Sequence, residues 1–341
     1  MVRDIWAITT AVLGEIALPQ ELGATGVTVQ RAPPLVVDDL WRGLLGEHYA
    51  IRFANATMYL CCDGNEHADT PVGRSRLFQR GRAVYFACWL HGLLAIDHLQ
   101  ILRCTVQSRA GGRDVLKIHT PRLADWKPWY LPWHFDSHAD SPMSDLRIIE
   151  TPDWTADTWR SIDRVSGGIL AVQSPEAKAR RLWHGFRLLI AALREDGDPH
   201  WLERGALMVR SLEPLLFDPE KKAHGGADFF AKMAASFVSG SDASKTLKGL
   251  YRDVRNAAVH VHNREKYAAR PEFRRAKALI GFAEALAVHV WRQVLSNPEL
   301  MLAFNDDNIA ESQRQLCCGA TTRFRFEPFA LPILPAVARR N

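Results

Sequence analysis

No stretch of this 341-residue chain is long and apolar enough to cross a bilayer. The longest apolar run, Ala83 to Ile96, is broken by His91 and followed at once by Asp97 and His98, short of the roughly 20 residues that a spanning helix needs. Cysteine is sparse, with six residues arranged as Cys61-Cys62, Cys317-Cys318 and the single Cys88 and Cys104. Adjacent cysteines do not make the C-x2-C knuckle of a structural zinc site, and with no secretory signal expected they read as reduced cytosolic thiols. A large excess of either charge is missing too. The formal charge is +5 and the pI about 8.9, which permits an RNA partner without demanding one. There is no internal repeat and no low-complexity block. The N-terminus lacks the charged, apolar, small order of an export signal, although Met1-Val2-Arg3 and the short apolar stretch after it have a faint likeness to one. These absences together give the expectation of a cytoplasmic protein with no membrane partner.

What is present is an ordinary globular composition, 47% apolar and 24% charged, at a length that accommodates two domains. The expected fold class is α+β. An N-terminal mixed α/β domain over 1–165 precedes a helical bundle over 170–300 and a tail with a short strand over 301–341. In the first half, Val27 to Gln30, Tyr49 to Phe53, Met58 to Cys62, Val115 to His119 and Leu146 to Glu150 read as strands, and Gly81 to Arg103 as a helix. Ser166-Gly167-Gly168 and Ser174-Pro175-Glu176 punctuate the change of character, with Ser174 as the cap of a helix carrying Trp183, Phe186, Leu189 and Ile190. Further helices are expected over Trp201 to Leu216, Asp228 to Val238, Ala243 to His262 and Pro271 to Leu295. Thr321 to Phe326 suits a late strand packed on the first half or on a partner chain. His91, His98, His184 and His289 lie on apolar helical stretches and read as satisfied, partly buried side chains.

The most informative segment runs from Leu250 to His260. Leu247, Leu250, Val254, Ala257 and Val261 recur at the spacing of one apolar helix stripe. With Val254 as zero and about 100° per residue, Arg255 falls at about 100°, Val259 at about 140°, Arg252 at about 160°, Asn256 at about 200° and His260 at about 240°. Three polar groups able to grip a phosphate thus share the outer face with an apolar valine. Val259 there argues for a covering partner, most simply a second copy of the helix. Off the core stripe, Arg255→Ala or His260→Ala is expected to change stability by about 0.5 kcal/mol or less.

The pattern Arg255-Asn256-x-x-x-His260, with Tyr251 upstream in a helix of a small bundle, resembles the active motif of the HEPN superfamily (higher eukaryotes and prokaryotes nucleotide-binding), most closely its Apea-like branch. Val261 follows the histidine where a glycine is common in that branch, and Tyr251 stands one position further from the arginine than usual. The resemblance implies a HEPN-like bundle in the C-terminal half. It also implies a metal-independent endoribonuclease, without cofactor, whose arginines and histidines meet across a homodimer interface. In that setting Arg255 holds the phosphate, His260 exchanges the proton on the attacking or leaving oxygen, and Asn256 positions His260 or donates to the phosphate. Tyr251, Arg252, Lys248 and His262 are candidates for binding RNA along the same helix. Lys245 borders the same path, and all three cations also read as a solvated helix face. A defence or toxin-like role follows as the expected setting.

Two rival classes stand beside this reading. One is a catalytically silent HEPN module that binds nucleic acid or regulates. The other is a metallohydrolase built on His134, Asp136, His138 and Asp140, whose alternation would gather four metal-capable side chains on an extended strand, though Pro132 and Ser141-Pro142 favour a polar loop. Trp126, Trp129, Tyr130 and Trp133 read as core of the first domain, with base stacking as the functional alternative.

Overall fold

The computed structural model describes residues 2–8, 20–34, 39, 42–43, 47–64, 71–92, 101–107, 115–119, 155–194, 201–216, 226–239, 242–256, 271–318 and 326–330. The protein is mixed α+β and divides into two compact units, Met1–Leu170 and Ala171–Asn341.

Unit 1 is built on an antiparallel six-stranded sheet of order β2-β3-β4-β1-β5-β6. Its strands are β1 (Val2–Ile8), β2 (Gln20–Leu22), β3 (Val27–Gln30), β4 (Met58–Gly64), β5 (Ile101–Gln107) and β6 (Val115–His119). Strand β1 lies between β4 and β5, with Ile5 opposite both Cys61 and Cys104. Period-2 alternation sends Ile5 and Ala7 to one face, where they form a buried cluster with Phe53, Tyr59, Cys61 and Cys104. Trp6 faces the other way and stacks on Phe78 and Tyr85 of helix α2 (Pro71–Leu90), with ring centroids 5.5 and 6.2 Å apart. The indole donates to the buried Asp4 at 3.0 Å, and Arg103 Nε donates to the same carboxylate at 2.9 Å. Asp4 is thus a paired interior charge, which burial requires. Cys61 and Cys104 are separated by β1, about 9–10 Å across two strand spacings and too far for a disulfide. Cys61, Cys62, Cys88 and Cys104 are free.

Several sequence expectations are corrected in this unit. Tyr49 to Phe53 is not a strand but part of helix α1 (Glu47–Ala54), which buries Ala50 and Phe53 three residues apart. The expected helix Gly81 to Arg103 begins ten residues earlier, with Pro71 in its first turn, and ends at Leu90, while Ile101 to Arg103 lies in β5. Ser166-Gly167-Gly168 is not a break; it lies inside helix α3 (Ala156–Gln173). There Gly167 permits close approach to the β2–β3 turn, since a Cβ would stand 2.9 Å from that of Ala24. Asp163 on the same helix accepts from Ala24 N at 2.9 Å. Leu146 to Glu150, the aromatic group Trp126 to Trp133, the cluster His134 to Asp140 and His98 lie outside the described residues.

Unit 2 comprises α4 (Arg180–Arg194), α5 (Trp201–Leu216), α6 (Gly226–Ala234), α7 (Ala243–Gly249), α8 (Pro271–Ser296), α9 (Pro298–Ala303) and α10 (Ile309–Cys318). A two-residue strand β7 (Val238–Ser239) pairs in parallel with β8 (Phe329–Ala330). Ser174 and Pro175 do not open α4: Pro175–Ala177 form a 3-10 turn, and Lys178 follows with a φ of 47°. The carboxylate of Asp306 instead accepts from the backbone N–H of Arg180 and Arg181 at 3.2 Å each, satisfying donors that a helix start leaves open. Helix α5 packs against α4 and α8. Gly185 allows the approach of α4, since a Cβ there would stand 2.7 Å from Ser211 O and from Trp291 Cζ2, and Trp291 Nε1 donates to Ser211 Oγ at 3.3 Å. Of the expected strand Thr321 to Phe326, only Phe326 is among the described residues, and it lies outside β8. Phe326 packs within unit 2 on Phe237 and Phe304, with centroids 4.5 and 5.8 Å apart. Residues 298–318, expected as bundle end and tail, are largely helical. Among the four histidines, His91 is buried and bonded to Ala87 O and Ser161 Oγ at 2.7 and 2.9 Å, and His289 meets Glu327 O at 2.6 Å. His184 is exposed, against expectation.

Candidate functional site

The motif does not continue as one α-helix. After Gly249 the backbone widens into a π-helical segment, Leu250–Asn256, whose i→i+5 bonding turns more slowly than the 3.6-residue repeat assumed from sequence. The expected helix Ala243 to His262 is corrected accordingly. Longer π segments are rare, and single π turns concentrate at functional sites. Of the expected apolar stripe, Leu247, Leu250 and Val254 are fully buried, and Ala257 and Val261 lie outside the described residues. Val254 packs where α5 comes closest, because Gly205 has no side chain; a Cβ there would stand 2.8 Å from Val254 Cγ1 and 2.6 Å from Ile280 Cγ1 of α8. The segment is thus wedged against α5 and α8.

This packing places Arg255. Its Nε donates to Glu213 Oε1 on α5 at 3.1 Å, and Nη1 donates to Asn256 Oδ1 at 3.1 Å. The guanidinium lies over the Tyr251 ring, 5.0 Å from its centroid. Tyr251 in turn meets Phe230 of α6 at 5.3 Å. The Arg255 side chain keeps 27% of its surface exposed and that of Glu213 22%. Arg255 is therefore a held, partly exposed cation within reach of a ligand.

Three expectations change in detail. Tyr251, expected as a candidate for binding RNA, is 6% exposed, and its ring supports the arginine from below. Burial pushes its phenol up from the ordinary value, partly opposed by Arg255, so it stays neutral at physiological pH. Asn256 bonds the arginine through its side-chain oxygen. Lys248 is engaged with Asp228 of α6 at 2.6 Å, and the lysine holds that carboxylate below its usual range. Arg252 and Lys245 are exposed. His260, Val259 and His262 lie outside the described residues.

Glu213 is the participant that sequence reading missed. It precedes Pro214 inside α5, and nothing within that helix points to a partner 42 positions later. A second charged pair ties α5 to α8: Arg204 Nη2 donates to Glu284 Oε2 at 3.2 Å. Among the described residues no group of three or more His, Cys, Asp or Glu side chains could hold a metal ion, and no helix is long and apolar enough to cross a membrane. Compared with protein-family models, curated proteins and solved structures, the chain matches none.

Proposed function

We propose that the protein is a metal-independent endoribonuclease of the HEPN type, acting through Arg255, Asn256 and His260 as a homodimer that shares its site across the motif helix, in a defence or toxin-like setting. The observation that carries the reading is the arrangement around Arg255. A guanidinium fixed by Glu213, Asn256 and the Tyr251 ring, yet partly open, suits an oxyanion whose charge grows in a transition state. RNA carries its own nucleophile in the ribose 2′-hydroxyl, so the reaction needs a proton-transfer group and a cation and no metal. His260 supplies the first, because its ordinary pKa lies near neutrality. Arg252 and Lys245 extend the positive path for the backbone.

The experiment is cleavage of a defined RNA by the purified full chain in excess chelator, with the fragment ends analysed. Activity that persists, leaves 2′,3′-cyclic phosphate ends and vanishes with 2′-O-methyl RNA or with His260→Ala is the expected result. Loss of all cleavage in chelator with rescue by zinc would transfer the chemistry to the His134 cluster. A second reading, a silent RNA-binding module, is favoured by one feature: Glu213 neutralises the cation that catalysis would use. Under that reading RNA binds, the His260→Ala variant binds equally, and neither cleaves.

A further inference from the structure

The carboxylate of Glu213 sits where it opposes the ligand that Arg255 is proposed to bind. A phosphate reaching the exposed part of the guanidinium meets a like charge on its Nε, 3.1 Å away. The two partners differ in how they are held. Helix α5 is locked close to its neighbours on both sides of Glu213's position: a Cβ on Gly185 would stand 2.7 Å from Ser211 O and 3.1 Å from Pro214 Cγ, and one on Gly205 would meet Val254 and Ile280. Arg255 instead rides on a long side chain at the end of the π-helical segment.

We propose that Glu213 is a positioning residue that both holds Arg255 and competes with RNA phosphate for it, so that binding proceeds by exchange of carboxylate for phosphate. The inference rests on the ribonuclease reading of the same site. Its chemical consequence is separable from catalysis. Glutamine at 213 retains an oxygen to accept from Nε and loses the charge, aspartate retains the charge on a shorter stem, and alanine removes both.

The test uses the full chain and a fluorescein-labelled, uniformly 2′-O-methylated single-stranded RNA, which binds without being cut, followed by anisotropy between about 50 and about 200 mM salt. Cleavage of the unmodified RNA gives kcat and KM, and thermal melts establish that each variant folds. Glu213→Gln is expected to bind about tenfold tighter, with a salt slope steeper by about one. Glu213→Asp binds like the parent. Glu213→Ala binds tighter but loses about tenfold in kcat, because the guanidinium is no longer held. Equal or weaker binding by Glu213→Gln, while Arg255→Ala weakens binding, overturns the competition alone. A loss of 100-fold or more in kcat for Glu213→Gln with tighter or unchanged binding overturns it too, by making the carboxylate a proton-transfer group. RNA binding that is absent in the parent, or unchanged in Arg255→Ala, removes the ribonuclease reading and the inference with it.

Discussion

Replacing Arg255 with alanine tests whether the site is assembled in solution as the structure shows it. Position alone, off the apolar stripe, gives about 0.5 kcal/mol or less. The contacts give more. The ion pair with Glu213 is about three-quarters buried, between exposed pairs at about 0–1 kcal/mol and buried pairs whose disruption costs about 3–5 kcal/mol, so about 1.5 kcal/mol is reasonable. The guanidinium over Tyr251 at 5.0 Å adds about 0.5–1 kcal/mol. Arg255→Ala should therefore cost about 2 kcal/mol, and for a unit of this size lower its melting temperature by about 4–8 °C. Part of that cost is the carboxylate left without its cation, so Glu213→Gln in the alanine background should return about 1 kcal/mol, an interaction that a double-mutant cycle isolates. Calorimetry of the full chain is the assay, with the relevant transition identified as the one that Val254→Asp abolishes by placing a charge at a fully buried position. An Arg255→Ala transition within about 0.5 kcal/mol of the parent, or a cycle with no coupling, would refute the assembly of the site around Glu213.

Gly81→Ala should destabilise unit 1 by about 1–2 kcal/mol despite alanine's better helix propensity, because its Cβ would come 2.3 Å from Trp6 Nε1, and that indole is pinned by Asp4 and stacked on Phe78. In a Trp6→Leu background the same substitution should become neutral or favourable; an equal cost in both backgrounds in chemical denaturation would contradict the contact. The thiols of Cys61, Cys88 and Cys104 are pushed up to about 12 and that of Cys62 is also raised, all chiefly by burial. At pH 8 they should react with iodoacetamide about a thousandfold or more slower than an open cysteine until urea is added. Peptide mapping that finds Cys88 alkylated in the native protein at the rate of free cysteine would show that this core is open.

How far the sequence reached depended on whether a residue's environment is written in its near neighbours. Trp201 to Leu216 and the helix from Pro271 matched the structure closely, because each buries one face and so repeats apolar residues every three or four positions. Strands β3, β4 and β6 were legible from short β-rich runs between turn residues. Strand β1 was not: it is buried on both faces and carries Asp4 beside its central residue, so neither alternation nor polarity marks it. Helix α1 was misread because eight residues give too few turns for its period to stand out from alternation.

The candidate site divides along the same line. The sequence by itself determined which residues form the apolar side of the motif and left Arg252 and Arg255 off it, since that depends only on spacing along one segment. Tertiary structure alone decided that the segment turns as a π-helix, that Tyr251 lies beneath the guanidinium, and that Glu213 receives it. A hydrogen bond of 3.1 Å between residues 42 positions apart exists only if two helices cross at one distance and one rotation. Here that crossing is set by the missing side chain of Gly205 against Val254 and Ile280, a fit among three segments that no local pattern in any one of them encodes.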